Sequence, residues 1–478
     1  MNEDIIQPNH YVLIRLPSLT LRVVQLVPHT TINAGKFGSF YADDIIGKPF
    51  GYTYEIRDDK HVDVIYSSEG LFASSDVNAD HADEEEEGEE ETTSNGSTPV
   101  PESKINTNET TIDDTSIQKL SMKEIEDLKK TEHGEKIIQQ VIKSHGAFEK
   151  KSIYSKEKYT RRKQQKFLRR FTPCSIGSSE LIEHFQLKDY HRVLELTPES
   201  LGLMMSLANV HPGGNYIVVD DTGGLVTGAM LERMDGEGTI LFIHENEHPN
   251  FEIIKYMNFP EEMTNRMLKV LNLLQLYHPE EEEPVKRLSD EILAGMKSSR
   301  RGQYYRRVAR EAELTTLFDQ IKNGFYDGLV LATSLETQSL LEKLIPAVAG
   351  SRQLVIYNTA KEPLVDTAHD LMADLRVLAP TILETRVRKY QVFPGRTHPL
   401  MTSRSGGGYV LWGTRVIPSN DVRAGGKKRK RLPAANKEKK AEDIKEESAG
   451  GAKRKHDESS EAVIEEKKAK IEAVAASD

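Results

Sequence analysis

Cysteine and tryptophan are almost absent from this sequence, which has one of each among its 478 residues. The single cysteine, Cys174, excludes an internal disulfide framework and a cysteine-based zinc finger. No apolar run approaches the roughly 18 residues of a membrane helix, and the opening residues, MNEDIIQPNH, lack the basic and apolar regions of a secretory signal. At roughly 150 residues per domain, we expect a soluble intracellular protein with two or three domains.

Acidic residues are concentrated in one segment. The formal net charge is −11, but residues 76–114 contain 14 acidic residues and one lysine, so the rest of the chain carries +2. A segment of this composition cannot bury enough apolar surface to offset the entropy lost on ordering. We therefore predict a disordered acidic insertion at 67–115, which is either a solvated linker or an arm that competes for a basic groove.

A basic run follows the insertion. Residues 150–170 contain ten lysines and arginines and a single acid, Glu157. Aromatic residues lie within or beside the run: Tyr154, Tyr159, Phe167 and Phe171. Because cations neutralise phosphates and aromatic faces stack on unpaired bases, this composition favours RNA binding. The alternative is an ordinary solvated basic face.

Two parts of the chain have the patterns of folded domains. In the first, short β-branched runs at 11–17 and 21–27, with glycine turns beyond them, predict a small N-terminal β-barrel domain at 1–66. A helical region that carries the basic run follows the acidic insertion, at 116–171. In the second part, at 172–424, apolar strands alternate with helices, which predicts an α/β domain with a doubly wound parallel sheet.

Two further segments of low apolar content interrupt or follow the second domain. Residues 279–310 are highly charged and are predicted to be a mobile insertion. Residues 425–478 are predicted to be a disordered basic tail, because lysine clusters there alternate with Glu-rich and Ala-rich stretches. Such clusters are typical of nuclear localisation signals, so we expect the protein in the nucleus.

The turn at 220–225 is where a doubly wound fold would bind a nucleotide-like ligand. Its sequence, DDTGGL, has no Gly-x-Gly spacing, and the adjacent carboxylates of Asp220 and Asp221 would repel a ligand carboxylate or phosphate. No P-loop sequence occurs elsewhere. We therefore predict a doubly wound fold whose cofactor site is degenerate.

One short sequence matches a metalloprotease motif. Residues 244–248, HENEH, satisfy H-E-x-x-H, which needs a helix to place both imidazoles on one face. Here the motif follows a predicted strand, and Pro249 comes directly after it. A loop is the better prediction, and we expect no metal site.

A second group of cations lies near the end of the folded part. Arg386, Arg388, Lys389 and Arg396 flank a Pro-Gly turn between apparent strands. They form either an exposed hairpin with salt-bridged arginines or a set of phosphate contacts near a partner's active site.

Six passages together resemble the non-catalytic subunit of eukaryotic tRNA (adenine(58)-N(1))-methyltransferase. They are GKFGSF at 35–40, GYTYEI at 51–56, YSKEKYTRRK at 154–163, ANVHPGGNYIVVDDTGGLVTGAMLERM at 208–234, FYDGLVLATS at 325–334 and YQVFPGRTHPLM at 390–401. The resemblance implies an N-terminal β-barrel followed by a methyltransferase-like Rossmann domain with a degenerate cofactor site. It also implies that this chain has no cofactor and no catalytic residue of its own.

The partner implied by the resemblance is a catalytic sister subunit that binds S-adenosylmethionine, in a heterotetramer of two copies each. In the sister, a glycine-rich turn binds the cofactor and an aspartate after a later strand acts in catalysis. The places that correspond here are 220–225 and 331–334, and the second has no carboxylate.

Within such a complex this chain would grip tRNA. The residues predicted to do so are Lys151, Lys156, Lys158, Arg161, Arg162, Lys163, Arg169 and Arg170, with Arg386, Arg388 and Arg396 as a second group near the subunit interface. The alternative is a chain that is itself a competent S-adenosylmethionine-dependent RNA methyltransferase.

Overall fold

The amino-terminal part of the chain is built from short antiparallel strands. The computed structural model describes residues 5–65, 120, 124–125, 128, 134–146, 148–392, 397–401 and 406–418. The strands of this part are β1 (Tyr11–Arg15), β2 (Leu21–Gln25), β3 (Thr31–Asn33), β4 (Ser39–Tyr41), β5 (Thr53–Ile56), β6 (Val62–Ile65) and β7 (Arg170–Cys174). The predicted acidic insertion and basic tail lie outside the described residues.

Strand β7 is the centre of the N-terminal sheet, although it follows β6 by more than 100 residues. The strand order is β2-β1-β7-β5-β6, and β3 and β4 form a separate pair. On one side Cys174 is opposite Leu13 of β1, and on the other Phe171 is opposite Tyr54 of β5. Phe171 also stacks on Phe40 at a centroid distance of 4.1 Å. The chain therefore returns to complete this sheet before it enters the second domain, and closure of the sheet into a barrel stays a prediction.

Within the described part of the chain, the helices α1 (Gly134–Ser144) and α2 (Ile153–Phe167) lie before β7. The hydroxyl oxygen of Ser152 caps α2 by accepting a hydrogen bond from the amide of Ser155 at 3.3 Å. Helix α1 is amphipathic, and its buried face, with Ile137 and Val141, packs against Phe167 at the end of α2. The basic helix α2 is thus held on one side by α1 and at its end by β7.

The second domain has a seven-stranded sheet in the order β10-β9-β8-β11-β12-β16-β13. Its strands are β8 (Asn215–Asp220), β9 (Thr239–His244), β10 (Leu268–Asn272), β11 (Tyr326–Ala332), β12 (Val348–Asn358), β13 (Val377–Glu384) and β16 (Tyr409–Arg415), and a short hairpin is formed by β14 (Tyr390–Gln391) and β15 (His398–Pro399). Strands β8 to β12 are parallel, and β16 is antiparallel to both of its neighbours. The order reverses between β8 and β11, which is the topological switch point of a doubly wound fold.

Helices connect these strands and cover the sheet. They are α3 (Ser178–Lys188), α4 (Pro198–Leu207), α5 (Leu225–Met234), α6 (Glu261–Met267), α7 (Leu273–Tyr277), α8 (Asp290–Gly295), α9 (Ser298–Lys322), α10 (Thr337–Leu344) and α11 (Glu362–Ala373). Side chains of β8 alternate between two cores: Tyr216 and Val218 belong to one, Ile217 and Val219 to the other. A strand that is apolar on both faces is typical of a sheet covered on both sides. The predicted doubly wound Rossmann-like sheet is confirmed, but the expectation of a parallel sheet is wrong: the sheet is mixed, because β16 lies between β12 and β13 and is antiparallel to both.

The N-terminal sheet is joined to the second domain by side chains that pair with strand backbone. Asn258, which has a φ of 56°, accepts a hydrogen bond from the amide of Tyr11 at 2.7 Å and donates one to its carbonyl at 2.8 Å. Nδ1 of the buried His184, on α3, lies 3.0 Å from the carbonyl oxygen of Leu21. These contacts fix the N-terminal sheet against the α3 side of the Rossmann-like domain.

Residues 279–310 contain regular structure in their second half. Helix α8 lies there, and α9, of 25 residues, begins at Ser298. The mobility predicted for this segment stays a prediction. No helix among the described residues has the length and apolar character needed to cross a bilayer.

Candidate functional site

The switch point brings together the carboxyl ends of β8 and β11. Strand β8 ends at Asp220, and the amide of Asp221 donates a hydrogen bond to the carbonyl of Ala332, the last residue of β11, at 2.9 Å. The turn from Asp221 to Gly224 then leads into α5. In doubly wound folds, ligands bind in the crevice outside these strand ends, so this turn is the place to test for a cofactor site.

Asp220 points into the protein. Its side chain is buried, and one carboxylate oxygen accepts hydrogen bonds from the amide of Thr222 at 2.8 Å and from the Thr222 hydroxyl. The other oxygen accepts from the amide and hydroxyl of Thr227 at 2.9 and 2.8 Å. Burial raises the pKa of Asp220, and the hydrogen bonds from both threonines oppose that rise. This carboxylate is engaged entirely by its own turn and helix.

Asp221 crosses the crevice. Its Oδ2 accepts hydrogen bonds from the hydroxyl of Thr333, from the amide of Ser334 at 3.0 Å and from the Ser334 hydroxyl at 3.3 Å. Thr333 and Ser334 directly follow β11, so the contact joins the two strands on either side of the switch point. The second predicted carboxylate of the turn is therefore a structural link between the two halves of the sheet.

Backbone amides at the start of α5 are used within the chain. A ligand at a helix amino terminus is bound by amides that lack an intrahelical acceptor. Here the amide of Val226 faces the Thr222 hydroxyl at 3.3 Å, and the amide of Thr227 donates to Asp220 at 2.9 Å. Two of the amides that would face a ligand already have acceptors.

The glycines of the turn face a short 3₁₀ segment, Ile254–Met257, and the residue before it. The carbonyl of Gly223 accepts a hydrogen bond from the amide of Ile253 at 3.0 Å. A Cβ added at Gly223 would lie 3.2 Å from the Ile253 side chain, and one at Gly224 would lie 2.9 Å from Ile254. Apolar side chains of the same chain thus pack where the glycines leave room.

A small cavity lies at the opposite edge of the sheet. It has a volume of about 90 Å³ and is lined by residues that include Thr239, Leu241, Leu317 and Tyr326, where β9 and β11 begin. Sites for drug-sized ligands are about 300–1,000 Å³. This cavity is too small for such a ligand and lies away from the switch point.

The H-E-x-x-H sequence has no helix. His244 ends β9, and bends rather than a helix follow it through His248. Nδ1 of His244 lies 2.7 Å from the carbonyl oxygen of Asn246, and burial lowers the pKa of this imidazole. The two histidines therefore do not share a helical face, and the part of the chain that the structure describes has no group of three or more side chains suited to hold a metal.

Helix α2 presents a cationic stripe. Lys158, Arg162 and Lys166 are exposed and follow one another at intervals of four residues, which places their side chains on one helical face. Lys166 was not among the residues predicted to contact tRNA. The spacing of four from Lys158 and Arg162 is the signal that identifies it once the helix is known.

The other cations of the basic run contact neighbouring side chains. Lys151 and Lys163 lie over the ring of Tyr159, with Nζ 5.7 and 4.9 Å from its centroid. Lys156 pairs with Glu149 at 3.0 Å, and Arg161 pairs with Glu157 at 3.4 Å. The partners of these predicted tRNA contacts lie on α2 or on the segment directly before it.

Arg169 and Arg170 form ion pairs with the N-terminal sheet and α1. Arg169 pairs with Asp58 at 2.6 Å. Arg170, whose side chain is 17% exposed, pairs with Glu135 of α1 at 2.7 Å and lies 3.7 Å from Glu55 of β5. Their predicted contacts with tRNA stay predictions, and both have a structural role in these pairs.

Two aromatics of the basic run are unavailable to bases. Phe167 packs against α1, and Phe171 is a core residue of the N-terminal sheet. The idea that they stack on RNA is therefore wrong, because β7 begins at Arg170 and turns Phe171 into the sheet core. Tyr159 packs in a T-shaped arrangement with His145 at 5.0 Å.

The second arginine group lies on the segment between β13 and β16. Arg386 pairs with Glu384 at 3.4 Å and remains 68% exposed. Arg388 is exposed and donates a hydrogen bond to the carbonyl of Leu400 at 3.2 Å. Arg396 lies outside the described residues. Both described arginines lie between the end of β13 and the start of the β14–β15 hairpin, and their predicted contacts with tRNA stay predictions.

The family model and related sequences point to the same group of proteins. The Gcd10p family model matches residues 5–297. The chain is 42% identical over 439 residues to the tRNA (adenine(58)-N(1))-methyltransferase non-catalytic subunit TRM6 of Debaryomyces hansenii, a match that covers 90% of this chain and 91% of that protein. With the subunit of the same name from Eremothecium gossypii it is 40% identical over 435 residues, covering 86% and 93%.

Solved structures include the tRNA methyltransferase TrmI of Aquifex aeolicus, which aligns with a TM-score of 0.41 and 10% identity, over 87% of this chain and 100% of that one. The sequence relatives confirm the resemblance drawn from the six passages. From the family model and the length and identity of these matches, the chain belongs to the Gcd10p family.

Proposed function

We propose that this chain is the non-catalytic, tRNA-binding subunit of a tRNA (adenine(58)-N(1))-methyltransferase, which acts with an S-adenosylmethionine-binding catalytic subunit. The observation that carries the proposal is its 42% identity, over 90% of the chain, to a protein named as that subunit. A non-catalytic subunit needs no catalytic residue of its own, so its switch point need not bind the cofactor.

The residues at the switch point do not suit S-adenosylmethionine. The carboxylate of Asp221 lies across the crevice, bonded to Thr333 and Ser334, and would repel the carboxylate of the cofactor. Ile253 and Ile254 pack against the turn glycines where the backbone would have to meet the ligand. We therefore assign the cofactor, and the whole of the methyl transfer, to the catalytic partner.

In the proposed complex, this chain supplies a positively charged surface for tRNA. The target adenine lies within a folded tRNA, so its N1 must be exposed and directed into the partner's pocket. The cationic stripe Lys158, Arg162 and Lys166 supplies side chains that neutralise tRNA phosphates without reading sequence. Fixing the tRNA backbone in this way would hold the target nucleotide at the partner's active site.

The assembly proposed is a heterotetramer with two copies of each subunit, in the nucleus. The stoichiometry follows from the resemblance to the non-catalytic subunit. The lysine and arginine clusters of the tail, such as Lys427–Arg431, support the nuclear location. Arg386 and Arg388, on the exposed segment after β13, are assigned to the neighbourhood of the subunit interface.

Methyl transfer from labelled S-adenosylmethionine to unmodified tRNA tests the proposal. The samples are this chain alone, the catalytic subunit alone and the two coexpressed. Activity only in the coexpressed sample is the expected result. Activity from this chain alone would favour the competing idea of an independent methyltransferase, and calorimetric titration of the chain with S-adenosylmethionine would then show that it binds the cofactor without a partner.

A further inference from the structure

The amino-terminal half of helix α9 is basic and has no role in the function proposed above. Between residues 297 and 310 there are six lysines and arginines, and no acidic residue occurs between Glu291 and Glu311. Four of the arginines are exposed: Arg300, Arg301, Arg306 and Arg307. We call these four residues the α9 arginine cluster.

The α9 arginine cluster lacks ion pairs. Among the described residues, none of its four members has a carboxylate within ion-pair distance, whereas the next arginine along the helix, Arg310, pairs with Glu313 at 2.7 Å. On the segment before the helix, Arg287 pairs with Glu311 at 2.9 Å. Neighbouring like charges on a helix cost free energy when no opposite charge offsets them. The cluster therefore leaves the free protein with an uncompensated cationic surface.

The α9 arginine cluster lies near the carboxyl ends of the parallel strands. Near the end of α9, Gln320 contacts Tyr326, where β11 begins. Further back along the helix, the guanidinium of Arg310 donates to the carbonyl of Val270, in the middle of β10, at 2.6 Å. The helix has 25 residues and so is about 37 Å long, against about 20 Å for the six-residue β9. Its first turns must extend past the carboxyl ends of the strands.

The projecting turns are held in place. The hydroxyl of Tyr304 accepts a hydrogen bond from the amide of Leu288 at 3.1 Å, which ties the preceding segment to this part of the helix. Its neighbour Tyr305 is 54% exposed, and the two rings pack edge to face at 5.6 Å. An exposed aromatic among arginines is a suitable surface for an unpaired base or a ribose.

We propose that the α9 arginine cluster, with Tyr305, is a second binding surface for the phosphate backbone of RNA, separate from the stripe on α2. It lies on the Rossmann-like domain, at the strand edge where doubly wound folds carry their ligand sites. The proposal rests on the proposed function, because the RNA is the tRNA that the complex methylates. With two surfaces on different domains, this subunit would contact the tRNA backbone at two places and so fix its orientation.

The test uses the full chain coexpressed with its catalytic subunit and unmodified tRNA as the probe. The variant carries Arg300→Ala, Arg301→Ala, Arg306→Ala and Arg307→Ala. Since each phosphate contact contributes about 0.7–0.9 to the slope of log affinity against log salt, we expect that slope to fall by about 2 or more. At low salt, tRNA affinity should fall about tenfold or more.

Two matched variants separate charge from folding. Replacing the same four arginines with lysine keeps the charge and should keep most of the salt slope. The pair Arg306→Ala and Arg307→Ala should weaken binding more than Lys322→Ala with Lys343→Ala, which removes the same charge from the last turns of α9 and α10. Equal salt slopes for wild type and the fourfold alanine variant would overturn the proposal.

Two further outcomes have distinct meanings. If the fourfold variant no longer copurifies with the catalytic subunit, the cluster is a protein-docking surface and the RNA assignment is wrong. If the wild-type complex itself fails to bind or methylate tRNA, the proposed function fails, whatever the variant does.

Discussion

The carboxylate of Asp221 accepts a hydrogen bond of 3.0 Å from the backbone amide of Ser334 across the point where the strand order reverses. These residues are 113 positions apart in the sequence and follow two neighbouring strands. In a doubly wound fold a ligand commonly lies between such strand ends. Here a side chain of the protein itself connects the two strand ends.

Asp221→Ala should therefore destabilise the fold. The variant removes an acceptor from the amide and hydroxyl of Ser334 and from the hydroxyl of the buried Thr333. Leaving the buried Thr333 hydroxyl without a partner costs about 1–3 kcal/mol, whereas water can replace the acceptor at the exposed Ser334. Urea denaturation would measure the loss as a lower midpoint. Asp221→Asn keeps one acceptor oxygen and should lose less. Unchanged stability of Asp221→Ala would contradict the linking role.

Because the 3₁₀ segment packs on the glycine turn, a side chain added at Gly224 should destabilise the fold. In Gly224→Ala the new Cβ would lie 2.9 Å from Ile254 at a φ of +88°, so we expect a loss of about 1–3 kcal/mol. Because Ile254 is buried, Ile254→Ala is itself destabilising, but Gly224→Ala should cost less in the Ile254→Ala background than in the wild type, since only the backbone strain remains there. Gly202→Ala is the control: its position on α4 has no atom within 4 Å of the added Cβ, and alanine should stabilise the helix slightly. Equal stability of Gly224→Ala and wild type would show that the turn is not packed as described.

Local sequence was enough to predict the Rossmann-like sheet. The run from Tyr216 to Asp220 is apolar on both faces, and a turn and a helix follow it, so strand, turn and helix are encoded within 20 residues. The same run identified Asp220 and Asp221 as the carboxylates at the turn that follows the strand. Their partners could not be predicted, because Thr333 is brought to Asp221 by strand pairing over 112 positions.

The N-terminal part shows why other predictions failed. Phe171 lies beside a basic run, and composition alone predicts a base-stacking aromatic there, but its surroundings are set by pairing with Tyr54 of β5 and by stacking on Phe40. No local pattern reveals contacts of this range. Helix α9 is hard to predict for another reason. Its buried residues, Leu314 and Leu317, lie in its second half, so its charged first half has no apolar periodicity that would indicate a helix.

The stripe on α2 predicts a specific salt dependence. A variant with Lys158→Ala, Arg162→Ala and Lys166→Ala should weaken tRNA binding by the assembled complex. The slope of log affinity against log salt should fall by about 1–3, since up to three phosphate contacts are lost. Filter binding at several salt concentrations measures both quantities. Glu157→Gln removes a negative charge from the same helix and should leave affinity equal or higher. A triple variant with the wild-type slope would exclude the stripe from the tRNA interface.

His184 predicts a pH dependence of stability. Burial lowers its pKa below the ordinary value of 6.5, so the folded protein holds a neutral imidazole beside the carbonyl of Leu21. Below pH 6.5 the unfolded chain binds a proton that the folded one resists, so stability falls as pH drops towards the folded-state pKa. The His184→Gln variant should have a flatter stability profile between pH 7 and 5. Parallel profiles for the two proteins would show that the imidazole is not held neutral.

Arg170 and its neighbour Arg169 predict different consequences for the same substitution. Arg170 is 17% exposed and joins the exposed Glu135 of α1 to the 35% exposed Glu55 of β5, so Arg170→Ala should leave the Glu55 carboxylate unpaired, break this link and cost about 1–2 kcal/mol. Arg169→Ala removes a pair with the 79% exposed Asp58 and should cost under about 1 kcal/mol. Thermal unfolding of both variants, beside tRNA binding, separates the roles. If Arg170→Ala unfolds like the wild type yet binds tRNA more weakly, Arg170 belongs to the RNA surface instead of the scaffold.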